Sequence, residues 1–172
     1  MNSTRDDDPS PARIEEPPAP AADHLTRLDR LAPGEVDVNL ASAGEEGEGL
    51  FTLYAAGARV ALSDVLPILH SLGVRVVDER PHSVVRPDGD RAWIYDFTLS
   101  PSALPADPAR VVSVGGQTVG ERFGDAFLAA WRGSAEVDQF NRLVLTSGLH
   151  WREVELLRGY AKYLGQARFP YS

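Results

Sequence analysis

Cysteine is absent from all 172 residues, which excludes disulfide staples, thiolate catalysis and Cys-ligated zinc. Long apolar runs are absent as well: none approaches the ~20 residues of a membrane-spanning helix. The opening stretch Met1-Asn2-Ser3-Thr4-Arg5-Asp6-Asp7-Asp8 lacks the apolar core of a signal peptide, so a cytoplasmic location is expected. Positive charge is scarce, with 17 Lys+Arg against 25 Asp+Glu and a formal net charge of −8. Phosphate backbones and anionic bilayers recruit clustered Lys and Arg, so neither nucleic acid nor a membrane is the expected partner. What remains is globular in composition, with 43% hydrophobic residues. The length suits one domain or one and a fraction.

Residues 1–23 are rich in Pro, Ala, Asp and Glu and cannot bury enough surface to offset ordering entropy, so disorder is expected there. Residues 24–49 read as a poorly defined linker. Leu25, Leu28 and Leu31 fit a short helix ended by Pro33-Gly34, and Val36, Val38 and Leu40 alternate like a short strand. From Leu50 the pattern is stronger. Leu50–Ala55 reads as a strand closed by Gly57. Ser63 is the expected N-cap of a helix carrying Val65, Leu66, Ile68, Leu69 and Leu72 on one face, with Pro67 in its first turn and Gly73 at its end. Val74–Val85 reads as a strand, and Arg86-Pro87-Asp88-Gly89 as a hairpin turn. On the return strand Trp93, Tyr95, Phe97 and Leu99 share one face, and Ala92, Ile94, Asp96 and Thr98 the other.

After a proline-rich connection over 100–110 the period becomes helical. Thr118-Val119-Gly120-Glu121 matches a capping box, and Phe123, Ala126, Phe127, Ala130 and Trp131 make an amphipathic stripe broken at Gly133-Ser134. A second helix is expected through Val137, Phe140, Leu143 and Val144 to Gly148. A third runs through Trp151, Val154, Leu157, Ala161 and Leu164. The fold class is therefore α+β: an ACT-like or ferredoxin-like β-α-β-β unit over residues 50–115, then a helical segment over 116–172. The fourth strand of such a sheet comes from Val111–Val114, from residues 36–40, or from nothing.

No complete active site is legible. Val111–Gly120 has the outline of a phosphate-cradling turn, but Gln117 stands where the third position of G-x-G-x-x-G needs glycine, so it reads as a glycine-rich helix entry. His24, His70, His82 and His150 show no i, i+4 pairing for a metal. His150 with Glu153 reads as a helix start with an acidic first turn. Asp78 and Glu79 point to opposite faces of a strand and read as solvated or salt-bridged. Lys162 is a lone lysine on an amphipathic helix. The chain has no P-loop and no G-x-S-x-G elbow. Trp93, Tyr95 and Phe97 could present a base-stacking platform, but the flanks are not basic enough and a packed face is the better reading.

Several stretches in order resemble the large bacterial NAD-specific glutamate dehydrogenases. They are Leu62-Ser63-Asp64-Val65-Leu66-Pro67, Leu72–Pro81, Trp93-Ile94-Tyr95-Asp96-Phe97, Arg122-Phe123, Asp125-Ala126-Phe127, Trp131-Arg132-Gly133, Phe140–Leu145, Leu157-Arg158 and Tyr160–Leu164. The likeness covers about residues 50–171 and places the chain just before the catalytic domain, where an ACT-like segment leads into helices. It implies a complete enzyme that oxidises L-glutamate to 2-oxoglutarate and ammonia with NAD. It offers this chain no position for a catalytic, NAD-binding or metal-binding residue. A fragment with a regulatory or architectural role is expected, its partner the catalytic portion or a second copy. The alternative is a free-standing ACT-type module that binds an amino-acid effector through the strand-to-helix loop at Gly57, Ser63 and Asp64. An independent dehydrogenase lacks support, because neither a dinucleotide fold nor a candidate base and substrate lysine is present.

Overall fold

A computed structural model describes residues 22–43, 48–100 and 116–167. Its elements are α1 (Ala22–Asp29), β1 (Val36–Ala43), β2 (Glu48–Ala56), α2 (Leu62–Ser71), β3 (Val76–Val85), β4 (Arg91–Leu99) and α3 (Val119–Trp131). A 3-10 turn follows at Gln139–Arg142, then α4 (Leu143–Thr146) and α5 (Trp151–Gln166). The strands form one antiparallel sheet in the order β1-β2-β4-β3. This is the ACT-like α+β unit followed by helices that the sequence predicts.

The fourth strand comes from upstream. Val36 to Ala43 pairs residue for residue with Ala55 to Glu48, and its inward Val36, Val38 and Leu40 are buried. A ferredoxin-like βαββαβ unit places a downstream strand in that edge position, so the connectivity here is permuted. Residues 24–49 are consequently not a linker: they supply most of α1, all of β1 and the start of β2. The short alternating run was visible in the sequence, but strand status depends on a partner, and isolated period-2 patterns do not reveal one. Ala22 and Asp23 open α1, while residues 1–21, where disorder was expected, lie outside the described residues. So does the Val111–Val114 alternative.

Alternation along the strands sorts the core into two layers. On the inner face Phe51, Leu53, Tyr95, Phe97 and Leu99 pack against Val65, Ile68 and Leu69 of α2 and Phe123, Ala126 and Phe127 of α3. Phe51 lies at the centre, its ring 4.9 Å from Phe127 and 5.8 Å from Phe123. Trp93, Tyr95 and Phe97 stack in a row at 6.3 and 6.4 Å and belong to this packed face, not to an open platform. On the outer face Leu28 and Leu31 cover Tyr54, Ala92, Ile94 and Val84. α3 lies so close to β1 that a Cβ on Gly124 would stand 3.3 Å from Val38 Cγ2.

The helix ends have specific causes. Thr118 Oγ1 accepts from Glu121 N at 3.1 Å, and Thr118 N donates to Glu121 Oε2 at 2.7 Å, completing the expected capping box. The Thr118 backbone N–H, and after it the Thr118 hydroxyl donating to the same oxygen at 3.0 Å, hold the Glu121 carboxyl below its usual range. α2 corrects the sequence reading twice. Its N-cap is Ala61, without a side-chain bond, and Ser63 lies inside the first turn. Pro67 falls in the second turn, where it cannot bond the Ser63 carbonyl. Ser63 is exposed, so water can take that role. The second C-terminal helix is also shorter than expected. Val137 is exposed and outside it, and the segment divides into the 3-10 turn and a single turn of α4.

Candidate functional site

Arg158 ties α5 to the 3-10 turn and, through Asn141, to α2. It sits midway along α5 with a side chain only 2% exposed. Its guanidinium grips Asp138 with two bonds, Nε to Oδ2 at 2.7 Å and Nη2 to Oδ1 at 2.8 Å. It also donates to Asn141 Oδ1 at 3.0 Å and to Glu155, and lies 5.8 Å from the Phe140 ring centroid. Asp138 caps the 3-10 turn by accepting from Phe140 N at 2.9 Å. Asn141 Nδ2 continues the network to Ser71 Oγ on α2 at 3.0 Å and to the Glu136 carbonyl at 2.8 Å. α5 and the 3-10 turn thus meet through a bidentate pair, the strongest geometry for such a contact, and Asn141 carries the link on to α2. The bond to Asp138 raises the Arg158 pKa, and the same bond lowers that of Asp138. The sequence gives little sign of this network. Arg158 stands four residues after Val154, on the line where an apolar residue is the usual occupant.

The rest of α5 points away. Val154 and Arg158 are its two buried residues. Every residue from Gly159 to Ala167 is exposed. Leu156, Tyr160 and Tyr163 are 66–67% exposed, and Leu157 and Leu164 also stand in solvent. Leu157, Ala161 and Leu164 of the amphipathic stripe are therefore uncovered. A shallow hollow of about 460 Å³ is lined by Glu155, Leu156, Gly159, Tyr160 and Tyr163.

A second, polar cleft of about 550 Å³ lies between β1 and the start of α3, lined in part by Arg27, Asp37, Asn39, Gln117, Glu121 and Asp125. Arg27 is neutralised there by Asp37 at 2.8 Å. Beside it Tyr54 meets His24 Nδ1 at 2.9 Å, and burial pushes the phenol up to about 12.

The loop expected to hold an effector is pinned from below. Gly57, at φ +92°, donates to the Arg91 carbonyl at 2.8 Å, and Val60 N donates to the Tyr95 hydroxyl at 2.9 Å. Arg59 lies over Trp93 at 5.4 Å. Ser63 and Asp64 are exposed neighbours in the first turn of α2, with Ser63 Oγ 3.4 Å from Asp64 Oδ1. None of Gly57, Ser63 and Asp64 lines the clefts above. Asp78 pairs with Arg80 at 3.1 Å, and His150 caps α5 with Glu153 closing the box. Among the described residues no group of three His, Asp or Glu is placed to hold a metal. No described helix is long and apolar enough to cross a membrane.

The sequence that builds this sheet domain and its following helices has relatives. Residues 35–111 match the family described as glutamate dehydrogenase, ACT3 domain, and residues 135–172 match glutamate dehydrogenase, helical motif 3. The chain belongs to the glutamate dehydrogenase family. It is 42% identical over 155 residues to the NAD-specific glutamate dehydrogenase of Mycobacterium tuberculosis, covering 90% of this chain and 9% of that one. It is 40% identical over 150 residues to the enzyme of the same name from Halomonas elongata, and 45% over 148 residues to that from Pseudomonas aeruginosa. Each match again covers 9% of the relative. The glutamate dehydrogenase regions represented are thus the ACT3 domain and a helical motif, not the NAD-binding catalytic domain. The first match starts at Glu35, one residue before β1, in agreement with the upstream fourth strand.

Proposed function

We propose that this chain is a non-catalytic architectural and regulatory portion of an NAD-dependent glutamate dehydrogenase. In the complete enzyme L-glutamate and NAD would yield 2-oxoglutarate, ammonia and NADH elsewhere in the polypeptide. The observation that carries this reading is α5, which the buried Arg158 guanidinium anchors through a bidentate ion pair while large apolar side chains face solvent. Such a face is suited to covering a partner surface. The test uses a full-length Mycobacterium tuberculosis relative in which the matched segment is replaced by this chain. Turnover of NAD with glutamate is expected to survive this exchange and to be lost when the segment is deleted. Activity that persists after the deletion would reject the role.

The regulatory half of the proposal rests on the loop from Gly57 to Asp64. Ser63 and Asp64 remain accessible at the start of α2, and Arg59 adds a cation on the same loop. An amino-acid effector offers both a carboxylate and an ammonium to such a surface. Calorimetry of the purified chain against the common amino acids is expected to give heat for at least one of them. Silence at millimolar ligand would remove the effector and leave the architectural role.

A further inference from the structure

The exposed side of α5 has a shape as well as a chemistry. At about 100° per residue, Val154, Arg158 and Lys162 run along the side that faces the body. There Val154 and Arg158 are buried and Lys162 pairs with Glu136. Leu156, Gly159, Tyr160 and Tyr163 follow the i, i+3, i+4, i+7 pattern on the opposite side. Gly159 lies within this stripe, and a Cβ added to it would meet nothing within 4 Å. A glycine mid-helix costs stability relative to alanine, and nothing among the described residues needs its small size. Three large side chains around a missing one form a hole of the kind that accepts a knob from a second helix.

We propose that this stripe is the seat of a helix from the catalytic portion of a glutamate dehydrogenase, with a bulky apolar side chain of that helix inserted over Gly159. The proposal rests on the reading of this chain as part of such an enzyme. The catalytic portion follows as the occupant from that reading, and the relatives leave room for it, since they carry this helical motif and the ACT3 unit in chains of which the match is 9%. Tyr160 and Tyr163 suit a seat that is apolar across its width and wet at its rim, since each ring ends in a hydroxyl.

Gly159→Leu separates the seat from the fold. In the isolated chain the new side chain meets open space and replaces a poor helix former, so the melting temperature is expected to hold or rise. In the full-length chimera the leucine fills the hole. Hydrogen exchange over residues 156–164, slowed in the chimera relative to the isolated chain, is then expected to return to the isolated rate. Turnover is expected to fall about ten- to hundredfold as the docked portion shifts. The double variant Tyr160→Ser, Tyr163→Ser is expected to act in the same direction.

Three results overturn the seat. If the chimera is active and both variants leave exchange and turnover unchanged, α5 is not the docking face, although the architectural role stands. If the isolated chain sediments as a dimer that Gly159→Leu dissolves, the occupant is a second copy. If the chimera is inactive and α5 exchanges as fast as in the isolated chain, the architectural role fails and the seat fails with it.

Discussion

Arg158 carries its charge almost wholly out of water, so its value to the fold is set by what faces it. Asp138→Asn keeps an oxygen to cap Phe140 but removes the carboxylate that grips the guanidinium. Leaving a buried charge short of its partner costs about 3–5 kcal/mol, and the lower end is expected because Glu155 remains. Urea unfolding should show a lower midpoint with an unchanged slope. The pH dependence has a definite sign. The Asp138 pKa is depressed in the folded chain, so its contribution is fully present above the ordinary aspartate value of 3.8 and is lost as pH falls through the folded value. As pH falls from 3.8 toward that lower value, the wild type should lose stability more steeply than Asp138→Asn. Tyr54 acts at the other end. Its phenol ionises near 10.0 when unfolded and at about 12 when folded, so stability is intact below pH 10 and falls as pH rises toward 12. The loss is about 2–3 kcal/mol. Tyr54→Phe should flatten that alkaline limb while costing about 1 kcal/mol at neutral pH through the lost bond to His24.

Residue-level reading of the sequence failed where a distant atom decides the local geometry. Ser63 has the chemistry of a cap, yet α2 starts at Leu62. Val60 is packed against the core and its N–H is held by Tyr95 from another strand, which fixes where the chain enters the helix. Asp138, Asn141 and Arg158 were invisible as a group because they are up to twenty residues apart and none is unusual alone.

Elements with a strong local period were legible. The alternation of Trp93, Tyr95, Phe97 and Leu99 and the stripe from Phe123 to Trp131 both face the inner core as their spacing requires. The cap of α3 was legible too, and Thr118→Ala is expected to lower stability by about 1 kcal/mol in thermal unfolding. α5 shows the limit of periodicity. Its apolar residues announce that one face is covered, but not by what, and the face covered within this chain holds Arg158 beside Val154 while most of the large apolar residues stay outside. The hydrophobic period is a property of the helix. The identity of the neighbour is a property of the assembly.

At the scale of the whole molecule, the boundary drawn at Leu50 and the one drawn at Glu35 make opposite predictions. A chain beginning at Glu35 loses α1 and uncovers Tyr54 and Ile94, but keeps all four strands. It should unfold cooperatively at a lower urea concentration. A chain beginning at Leu50 loses the buried Val36, Val38 and Leu40 and every pairing of β1 with β2. It should show no cooperative transition by circular dichroism. The comparison isolates what the upstream strand contributes from what the covering helix adds.

That upstream strand also changes the order of events during synthesis. In a sheet closed by its last strand, the edge must wait for the most distant part of the chain, and closing so large a loop slows folding. Here β1 and β2 are separated by residues 44–47 alone, so the edge pair is a local hairpin. Once Leu99 has left the ribosome, every strand of the sheet exists, and α3 arrives to a surface already formed. A very long polypeptide that contains this unit could finish it and seal its exposed strand long before the ribosome reaches the end of the message.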